Sequence, residues 1–497
     1  MRLHVLTNSI FSLLILPMIA ACSNPASSVD GSGARGDALA VLIAPSQAQI
    51  AVVDSANQPI AGARVLIGKT VGVPFAGNVV ETDSGGVALR PSAWTNEQPV
   101  TIEAPGFIRA TFFSRKSETA VFQLRRSPKS TPLQLQGKTT GFGTLTSNGV
   151  LDVSLVYPAV PRSQAASLEL TQLIGTGVDK VSVYGETLEL PSNLAVPNQT
   201  ETYFMIVPVT LNKPTYRLSV PEAGDYRFAA VRAQFNFKQT IDDLRAGKSF
   251  FDLINRLQFR SYSTRDFGIR LPVQSADLPL GEIPLKATLA VQAVNVPKGY
   301  AMVATAMVEN DGLCVVTDVK RLLDQEKRTL MSSAKGNAVL VRTLKKFDEK
   351  RTDFSGSDYE EMSAIVSAGA STSSDFLPIL NPIGTRARSL LLSPPRVASS
   401  LRPSVTQVTL SRVEVIGSGG LWLVSKTPLW DLYGEGFMGE MELPSLGADV
   451  WASKGRYRWE LRYGAKPVAD ASAVELSVNA LGPMSHVTKT AVDFLVP

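Results

Sequence analysis

The chain has 497 residues, with 49 lysines and arginines against 44 aspartates and glutamates, and its net charge at neutral pH is +5. This mild and dispersed charge does not predict a nucleic-acid partner, because nucleic-acid-binding proteins concentrate their basic residues in a patch or stripe. The two histidines and two cysteines leave little material for a zinc site, a disulfide framework or a catalytic triad.

The N-terminus has the three zones of a cleaved secretory signal. A polar start carries Arg2, an apolar stretch runs from Ile10 to Ala21, and small residues precede Cys22. The apolar stretch is too short for a permanent membrane-spanning helix, which needs roughly 20 apolar residues. The pattern therefore predicts an exported protein whose signal peptide, residues 1–21, is removed.

The residues Ile19-Ala20-Ala21-Cys22 resemble the lipobox of bacterial lipoproteins. The resemblance implies cleavage before Cys22, attachment of a diacylglycerol to its thiol, and acylation of the new amine, for example with palmitate. Ser23 stands where an aspartate would favour retention in the inner membrane, so the resemblance implies an outer-membrane lipid anchor. The alternative is an ordinary signal peptide with a chance cysteine. Residues 22–37 are rich in Ser, Gly and Ala, which predicts a flexible tether.

The mature chain would contain one histidine, His486, and one cysteine besides the lipidated one, Cys314. No disulfide can form within such a chain, and no His/Cys zinc cluster can be assembled. His486 is far from any Gly-x-Ser-x-Gly motif, and the apolar neighbours of Cys314 are typical of a buried, inert thiol. We therefore expect no metal, no cofactor and no catalytic residue, so the chain is not predicted to be an enzyme.

Residues 38–126 predict a small antiparallel β-sandwich, because short runs of Val, Ile, Thr and Phe alternate with Pro, Gly, Asn and Asp. Three pieces of this segment resemble the carboxypeptidase regulatory-like family, namely Gln58-Pro59-Ile60-Ala61-Gly62-Ala63-Arg64-Val65, Thr82-Asp83-Ser84-Gly85-Gly86 and Ala104-Pro105-Gly106-Phe107. Members of that family are transthyretin-like sandwiches that accompany enzymes, transporters and surface proteins. The resemblance implies this fold and an accessory role, with no catalytic residues.

Residues 133–273 predict a second sandwich-like domain. Asn148-Gly149 is a two-residue hairpin signal between strands. Near 249–258 the pattern changes, because Phe250, Leu253, Ile254 and Leu257 would share one face of a helix capped by Ser249. We expect this short helix to pack over one end of the sandwich; the alternative is an exposed helix that binds a partner.

Residues 280–497 predict a third β-rich domain, with Asp311-Gly312 as another hairpin turn. Within it, 352–404 is rich in Ser, Ala and Pro, which favours a flexible loop. Further on, Tyr457, Trp459, Leu461 and Tyr463 alternate with Arg458, Glu460 and Arg462. This alternation predicts a strand with one buried face and one exposed face.

Four of the five tryptophans fall near the C-terminus with several carboxylates among them: Trp422, Trp430, Trp451, Trp459, Asp431, Glu435, Glu440 and Glu442. Tryptophans in small sandwiches commonly belong to the core. A second interpretation is a carbohydrate-binding surface formed by Trp422, Trp430 and Trp451. A third is a glycoside hydrolase, which would use two of the carboxylates.

Together these patterns predict an all-β chain of tandem antiparallel β-sandwich domains, Ig-like or transthyretin-like, with one short helix. The predicted function is that of a lipid-anchored protein of the cell envelope, located at the outer membrane through lipid on Cys22. It would act as a non-catalytic binding or structural module for protein or polysaccharide partners. Carbohydrate binding through the tryptophans and carboxylate-dependent glycoside hydrolysis remain as alternatives.

Overall fold

The structure, a computed structural model, describes most of the chain after residue 47. The described residues are 48–55, 57–116, 120–127, 133–141, 150–161, 178–183, 186–191, 205–208, 215–220, 223–236, 239, 242–243, 246, 255–279, 282–292, 300–333, 337–345, 361–368, 376–386, 388–418, 421–446 and 453–496. The predicted signal peptide, Cys22, the predicted tether and the predicted turn at Asn148-Gly149 therefore lie outside them.

The described residues form two compact units, and each unit consists of segments that are separated in the sequence. The N/C unit contains those within 48–127, 377–414 and 426–496, and the middle unit contains those within 129–376 and 415–425. One boundary between the units, at 128/129, falls between the predicted domains 38–126 and 133–273. The predicted third domain, 280–497, is divided between them, because its second half pairs with strands of the N-terminal segment.

Seven strands come from the N-terminal segment of the N/C unit. They are β1 (Gln49–Asp54), β2 (Arg64–Ile67), β3 (Val79–Glu81), β4 (Val87–Leu89), β5 (Gln98–Glu103), β6 (Arg109–Arg115) and β7 (Ala120–Leu124). Strands β4, β1 and β7 form one small sheet, in which β1 and β7 are parallel. Strands β6, β5, β2 and β3 belong to a second sheet, so the segment forms the two layers expected of a sandwich.

The middle unit contains eighteen named strands among its described residues. They are β8 (Leu133–Thr140), β9 (Val150–Pro158), β10 (Val160–Pro161), β11 (Val178–Val183), β12 (Glu186–Pro191), β13 (Met205–Pro208), β14 (Thr215–Val220), β15 (Gly224–Asn236), β16 (Gln258–Ile269), β17 (Val273–Ser275), β18 (Leu278–Pro279), β19 (Ile283–Pro284), β20 (Ala287–Gln292), β21 (Tyr300–Asn310), β22 (Leu313–Leu322), β23 (Lys327–Ser332), β24 (Asn337–Lys345) and β25 (Met362–Ala368). Its larger sheets have the orders β13-β9-β15-β16-β19 and β10-β22-β21-β24-β25. Buried Phe228 and Met302 belong to two separate core clusters of this unit.

The C-terminal segment completes the N/C unit. Its strands are β26 (Pro382–Arg386), β27 (Ser389–Leu392), β28 (Leu401–Ser418), β29 (Leu421–Glu435), β30 (Glu440–Glu442), β31 (Gly455–Pro467) and β32 (His486–Val496). Residues 415–418 of β28 and 421–425 of β29 are assigned to the middle unit. They extend the second sheet of the unit to the order β32-β31-β28-β29-β6-β5-β2-β3. The joint between the two segments is the parallel pair β29–β6, in which Trp430 is the partner of Arg109. Strands β26, β27 and β30 form a small sheet, and its Leu390 and Leu392 share a core cluster with Trp459.

The described chain is therefore nearly all β and built from sandwiches, as predicted, and most of its strand pairs are antiparallel. The hairpin turn at Asp311-Gly312 is confirmed, because both residues have positive φ angles between β21 and β22, as a primed turn requires. Cys314 is buried and has no disulfide, which confirms the prediction of a buried thiol.

One local prediction lies mostly outside the described residues, and another is corrected. Of the predicted helix 249–258, residues 249–254 lie outside the described part of the chain, and the remaining four form a turn and the start of β16. The predicted loop 352–404 contains strands β25, β26, β27 and the start of β28. Its apolar residues explain the difference, because side chains such as Leu390 and Leu392 are buried and this burial outweighs a composition typical of loops.

Strand β31 differs from its prediction on one face. The face with Tyr457, Trp459, Leu461 and Tyr463 is buried, as expected. The opposite face is also covered, because Arg458 and Glu460 are 1 % and 5 % exposed. Neighbouring strands β28 and β32 flank β31 along its length, and charged partners on adjacent strands compensate the buried charges.

Candidate functional site

Four charged residues and one tryptophan form a line across five adjacent strands of the N/C unit. Arg64 of β2 has Glu81 of β3 and Glu103 of β5 as its direct partners. Glu103 follows the pair Ile102–Ala110, so Arg109 of β6 lies beside it, and Trp430 of β29 is the partner of Arg109. We call Glu81, Arg64, Glu103 and Arg109 the charge row. Its charges alternate in sign, which is a favourable arrangement for cross-strand neighbours.

Glu103 holds the two arginines of the charge row in place. Its Oε1 lies 2.7 Å from Nη1 of Arg64, and its Oε2 lies 2.6 Å from Nη2 of Arg109. The guanidinium carbon of Arg109 lies 4.6 Å from the ring centroid of Trp430, within the range of a cation–π contact. The side chain of Arg109 is 10 % exposed and that of Arg64 is 47 % exposed. One guanidinium is therefore fixed within the wall of the site, and the other extends towards solvent.

The charge row forms part of a groove with a volume of about 570 Å³. This volume lies within the range of ligand sites, about 300–1,000 Å³. The groove is lined by the row, by Gly62 before β2, by Ser127 after β7, and by residues of the β5–β6 loop and β29: Ala104, Pro105, Phe107, Ile108, Pro428, Leu429 and Trp430. Its surface therefore combines fixed charges with aromatic and aliphatic contacts.

The charge row retains polar groups for a ligand. Among the described residues, each of the two arginines donates a single hydrogen bond, to Glu103, although a guanidinium has five N–H groups. Glu81 makes no hydrogen bond or ion pair with another described residue, and it lines the groove beside Gly62. The row thus offers hydrogen-bond donors and positive charge at Arg109, at its β6 end, and at Arg64 within it, and a carboxylate at Glu81, at its β3 end.

Trp430 supports the groove from below. Its indole N–H donates a hydrogen bond of 2.9 Å to Oγ1 of Thr111, which lies 2.9 Å from Oγ1 of Thr101. Trp430 is 1 % exposed. These contacts satisfy the one polar atom of the buried indole and fix the ring under Arg109.

Asp431 follows Trp430 on β29 and lies in a separate polar contact. Its two carboxylate oxygens accept hydrogen bonds of 2.9 and 3.1 Å from Arg125, and Oδ1 also accepts one from Thr409. Arg125 directly follows β7, so this buried ion pair ties the small sheet to the second sheet of the unit. Although burial lowers the pKa of Arg125, the Asp431 charge raises it above its usual value, and the guanidinium stays charged.

The tryptophans proposed for sugar binding have different placements. Trp430 is a core residue with a guanidinium over its ring, so it lacks the free face that stacking on a sugar requires. Trp422 lies on β29, and Trp451 lies outside the described residues. Trp459, which the sequence grouped with them, is fully buried in the core.

The carboxylates considered for glycoside hydrolysis are dispersed among separate ion pairs. Asp431 binds Arg125, Glu435 lies 3.7 Å from Arg115, and Glu442 lies 2.8 Å from Lys69. The Lys69 contact lowers the pKa of Glu442. None of these three lines the groove.

The other residues considered for chemistry lie away from the groove. Nδ1 of His486 is 2.8 Å from Oγ of the adjacent Ser485. Within the described ranges, no group of three or more His, Cys, Asp or Glu side chains could hold a metal ion. The same ranges contain no helix long and apolar enough to cross a membrane.

Sequence reasoning missed all four members of the charge row. Arg64, Glu103 and Arg109 are single charged residues at strand ends, and Glu81 ends a strand of three residues. The signal that could have found them is their position at the ends of β2, β3, β5 and β6. That signal becomes useful only when strand order and register are known.

Comparisons with known proteins do not assign the chain to a family. No protein-family profile and no curated protein sequence matches it. Among solved structures, the Bacillus anthracis TIE protein is 11 % identical over 65 % of this chain and 48 % of its own, with a TM-score of 0.15. A streptococcal ancillary pilin is 8 % identical over 66 % of this chain and 97 % of its own, with a TM-score of 0.14.

The major pilin subunit BcpA of Bacillus cereus is 10 % identical over 60 % of this chain and 87 % of its own, with a TM-score of 0.13. This chain therefore spans about half the length of the TIE protein and most of the two pilins. At such TM-scores the likenesses assign neither an activity nor a partner to the chain.

Proposed function

We propose that the protein is a lipid-anchored module of the bacterial outer membrane that binds a partner of the cell envelope through the groove of the N/C unit, without catalysis. The observation that carries the proposal is the charge row, whose fixed arginines keep unused hydrogen-bond donors beside an unpaired carboxylate on rigid strands. Groups held in this way bind a ligand with little loss of conformational entropy.

The chemistry of the groove supports binding and not bond cleavage. Hydrolysis by two carboxylates requires one group that donates a proton and one that activates water or attacks the substrate. Both oxygens of Glu103 are engaged by arginines, so Glu103 acts as a clamp for their side chains. Glu81 is then the one carboxylate of the groove that is available to a ligand.

The lipobox resemblance supports the location. Each methylene of an acyl chain that enters the bilayer contributes about 0.8 kcal/mol, and two or three chains hold a protein stably where one binds reversibly. A thioether-linked diacylglycerol and an amide-linked palmitate on Cys22 would supply these chains. The tether 22–37 would then separate the sandwiches from the membrane surface.

The lipid anchor is tested by metabolic labelling with an alkyne analogue of palmitate in a Gram-negative host. The native chain is expected to carry the label and to fractionate with outer membranes. Cys22→Ser should lose the label and enter the soluble fraction. Cys314→Ser is the matched control, since Cys314 is buried in β22, and it should stay labelled. Labelled and membrane-bound Cys22→Ser protein would contradict the proposal.

A further inference from the structure

We infer that the groove binds an extended peptide segment in which an acidic and a basic side chain, about four residues apart, flank apolar residues. The inference rests on the proposed binding function and adds the chemistry of the partner. It follows from the spacing of the charge row, from its unused polar groups and from the apolar wall of the groove.

The acidic side chain fits the β6 end of the row, where Arg109 lies and where the guanidinium of Arg64 also reaches Glu103. Glu103 fixes one N–H group of each guanidinium, and the remaining N–H groups can donate to a carboxylate. Arginine is suited to this task, because its planar fork binds both oxygens of a carboxylate. The low exposure of Arg109 also strengthens such a contact, since charges interact more strongly away from water.

The basic side chain fits the end formed by Glu81. The strands from β3 to β6 are adjacent in the order β3-β2-β5-β6. Three strand steps of about 4.8 Å separate Glu81 from Arg109 by about 14 Å. An extended peptide rises about 3.4 Å per residue, so about four residues cover this distance.

The middle of the peptide would lie against the apolar wall of the groove. Pro105, Phe107 and Leu429 line it and are partly or largely exposed. Apolar side chains of the peptide would bury this surface, at about 25 cal/mol per Å² of apolar area. The combination of two opposite charges with an apolar middle selects a polypeptide over a uniformly charged polymer.

The aromatic residues of the groove favour a peptide over a sugar. The guanidinium of Arg109 lies over Trp430, and that of Arg126 lies 5.0 Å from the ring centroid of Phe107. Trp430 is also buried. Sugar-binding sites use exposed aromatic faces, and both rings here already carry a cation.

Binding is tested by fluorescence anisotropy with the full chain carrying Cys22→Ser, which keeps it soluble. The probes are fluorescein-labelled peptides with the cores Lys-Val-Ala-Val-Glu, Glu-Val-Ala-Val-Lys and Gln-Val-Ala-Val-Gln, at about 50 mM salt to limit screening. One of the two charged orientations should bind about tenfold or more tightly than the neutral peptide. Equal binding of all three peptides, or no binding, would overturn the inference.

Substitutions that remove or reverse one charge of the row test the inference more sharply. Arg64→Gln should weaken binding of the preferred peptide about tenfold, and Glu81→Lys should do the same. A probe with the core Glu-Val-Ala-Val-Glu should then bind the Glu81→Lys variant better than it binds the parent chain. Arg412→Gln, at an exposed arginine of β28 outside the groove, is the control and should bind like the parent.

Circular dichroism would verify that each variant is folded. If Glu81→Lys is folded and binds the two probes as the parent does, Glu81 has no part in recognition and the inference fails. Selective binding of an acidic polysaccharide on a glycan array, without peptide binding, would also overturn it. The lipid-labelling result is independent of these outcomes, so a failed peptide assay does not decide whether the chain is anchored.

Discussion

The N/C unit contains two sets of charges on neighbouring strands, and they differ in burial. One is the charge row of the groove. The other, the buried charge cluster, surrounds β31 and consists of Lys426, Arg458, Glu460, Lys489 and Asp493. Glu460 lies 3.2 Å from Nζ of Lys426 and 3.1 Å from Nζ of Lys489, and Arg458 forms an ion pair with Asp493. In both sets, opposite charges on different strands form ion pairs.

Burial gives the second set a structural role. Burial by itself raises the pKa of Glu460, but the charges of Lys426, Arg462 and Arg458 outweigh it and lower the pKa to about 2. Glu460 is therefore ionised at every physiological pH, and its negative charge compensates the buried cations of β29, β31 and β32. In the groove, exposure of Arg64 and Glu81 leaves charge available to solvent or a ligand. The same residue types thus stabilise the fold in one place and prepare a surface for binding in the other.

The largest expected effect separates the two sets by the same substitution. Glu460→Gln leaves buried lysines without their counter-charge and should reduce the free energy of unfolding by about 3–5 kcal/mol. Glu103→Gln, on the partly exposed row, should cost about 1 kcal/mol or less. Urea unfolding followed by tryptophan fluorescence measures both, since Trp430 and Trp459 lie in this unit. Equal losses would show that burial does not distinguish the two sets.

Acid should weaken the buried charge cluster. The pKa of Glu460 is about 2 in the folded chain and about 4.3 in an unfolded one. The unfolded state therefore takes up the proton first as the pH falls. The stabilisation is complete above about pH 5 and is lost between about pH 4 and pH 2, by roughly 3 kcal/mol. Urea midpoints measured across this range should fall less steeply for Glu460→Gln, and an unchanged slope would contradict the assignment.

A smaller effect than that of Glu460→Gln is expected at the floor of the groove. Thr111→Val removes the acceptor of the Trp430 indole N–H and leaves a buried donor unsatisfied, at a cost of about 1–3 kcal/mol. Thr406→Val is a useful comparison, because its hydroxyl bonds the backbone at Gly436, away from the groove. If the tryptophan positions Arg109, Thr111→Val should also weaken peptide binding, whereas Thr406→Val should not. Equal peptide affinity of the two folded variants would show that Trp430 does not position Arg109 for peptide binding.

Much of the fold could be predicted from local patterns. The all-β class, the strands of 48–124, the turn at Asp311-Gly312 and the buried aromatic face of β31 each follow from residues close together in sequence. The prediction of a flexible loop over 352–404 was wrong because it also used only local information, namely the composition of the segment. Its strands become stable through burial of side chains such as Leu390 and Leu392 against distant residues.

The candidate site could not be predicted in this way. The tryptophan cluster was conspicuous in the sequence, yet Trp430 and Trp459 are core residues, and the residues that line the groove are ordinary charged residues at strand ends. Arg64 and Glu103 are 39 positions apart and Arg125 and Asp431 are 306 apart. The residue pattern within a single strand cannot predict pairs that are this far apart in the sequence.

The amino-acid sequence alone determined where strands form, because the side-chain period of a strand is two residues and turn residues interrupt it. It also contains the residues before Cys22 that resemble a lipobox, and the prediction of a lipid anchor depends on them and on no fold. Only the tertiary structure decided that the N-terminal and C-terminal segments form one unit through β6 and β29, and that both faces of β31 are buried. The physical reason is that strand pairing joins residues far apart in the chain, and burial then determines whether a row of charges holds the fold together or stays open to a partner.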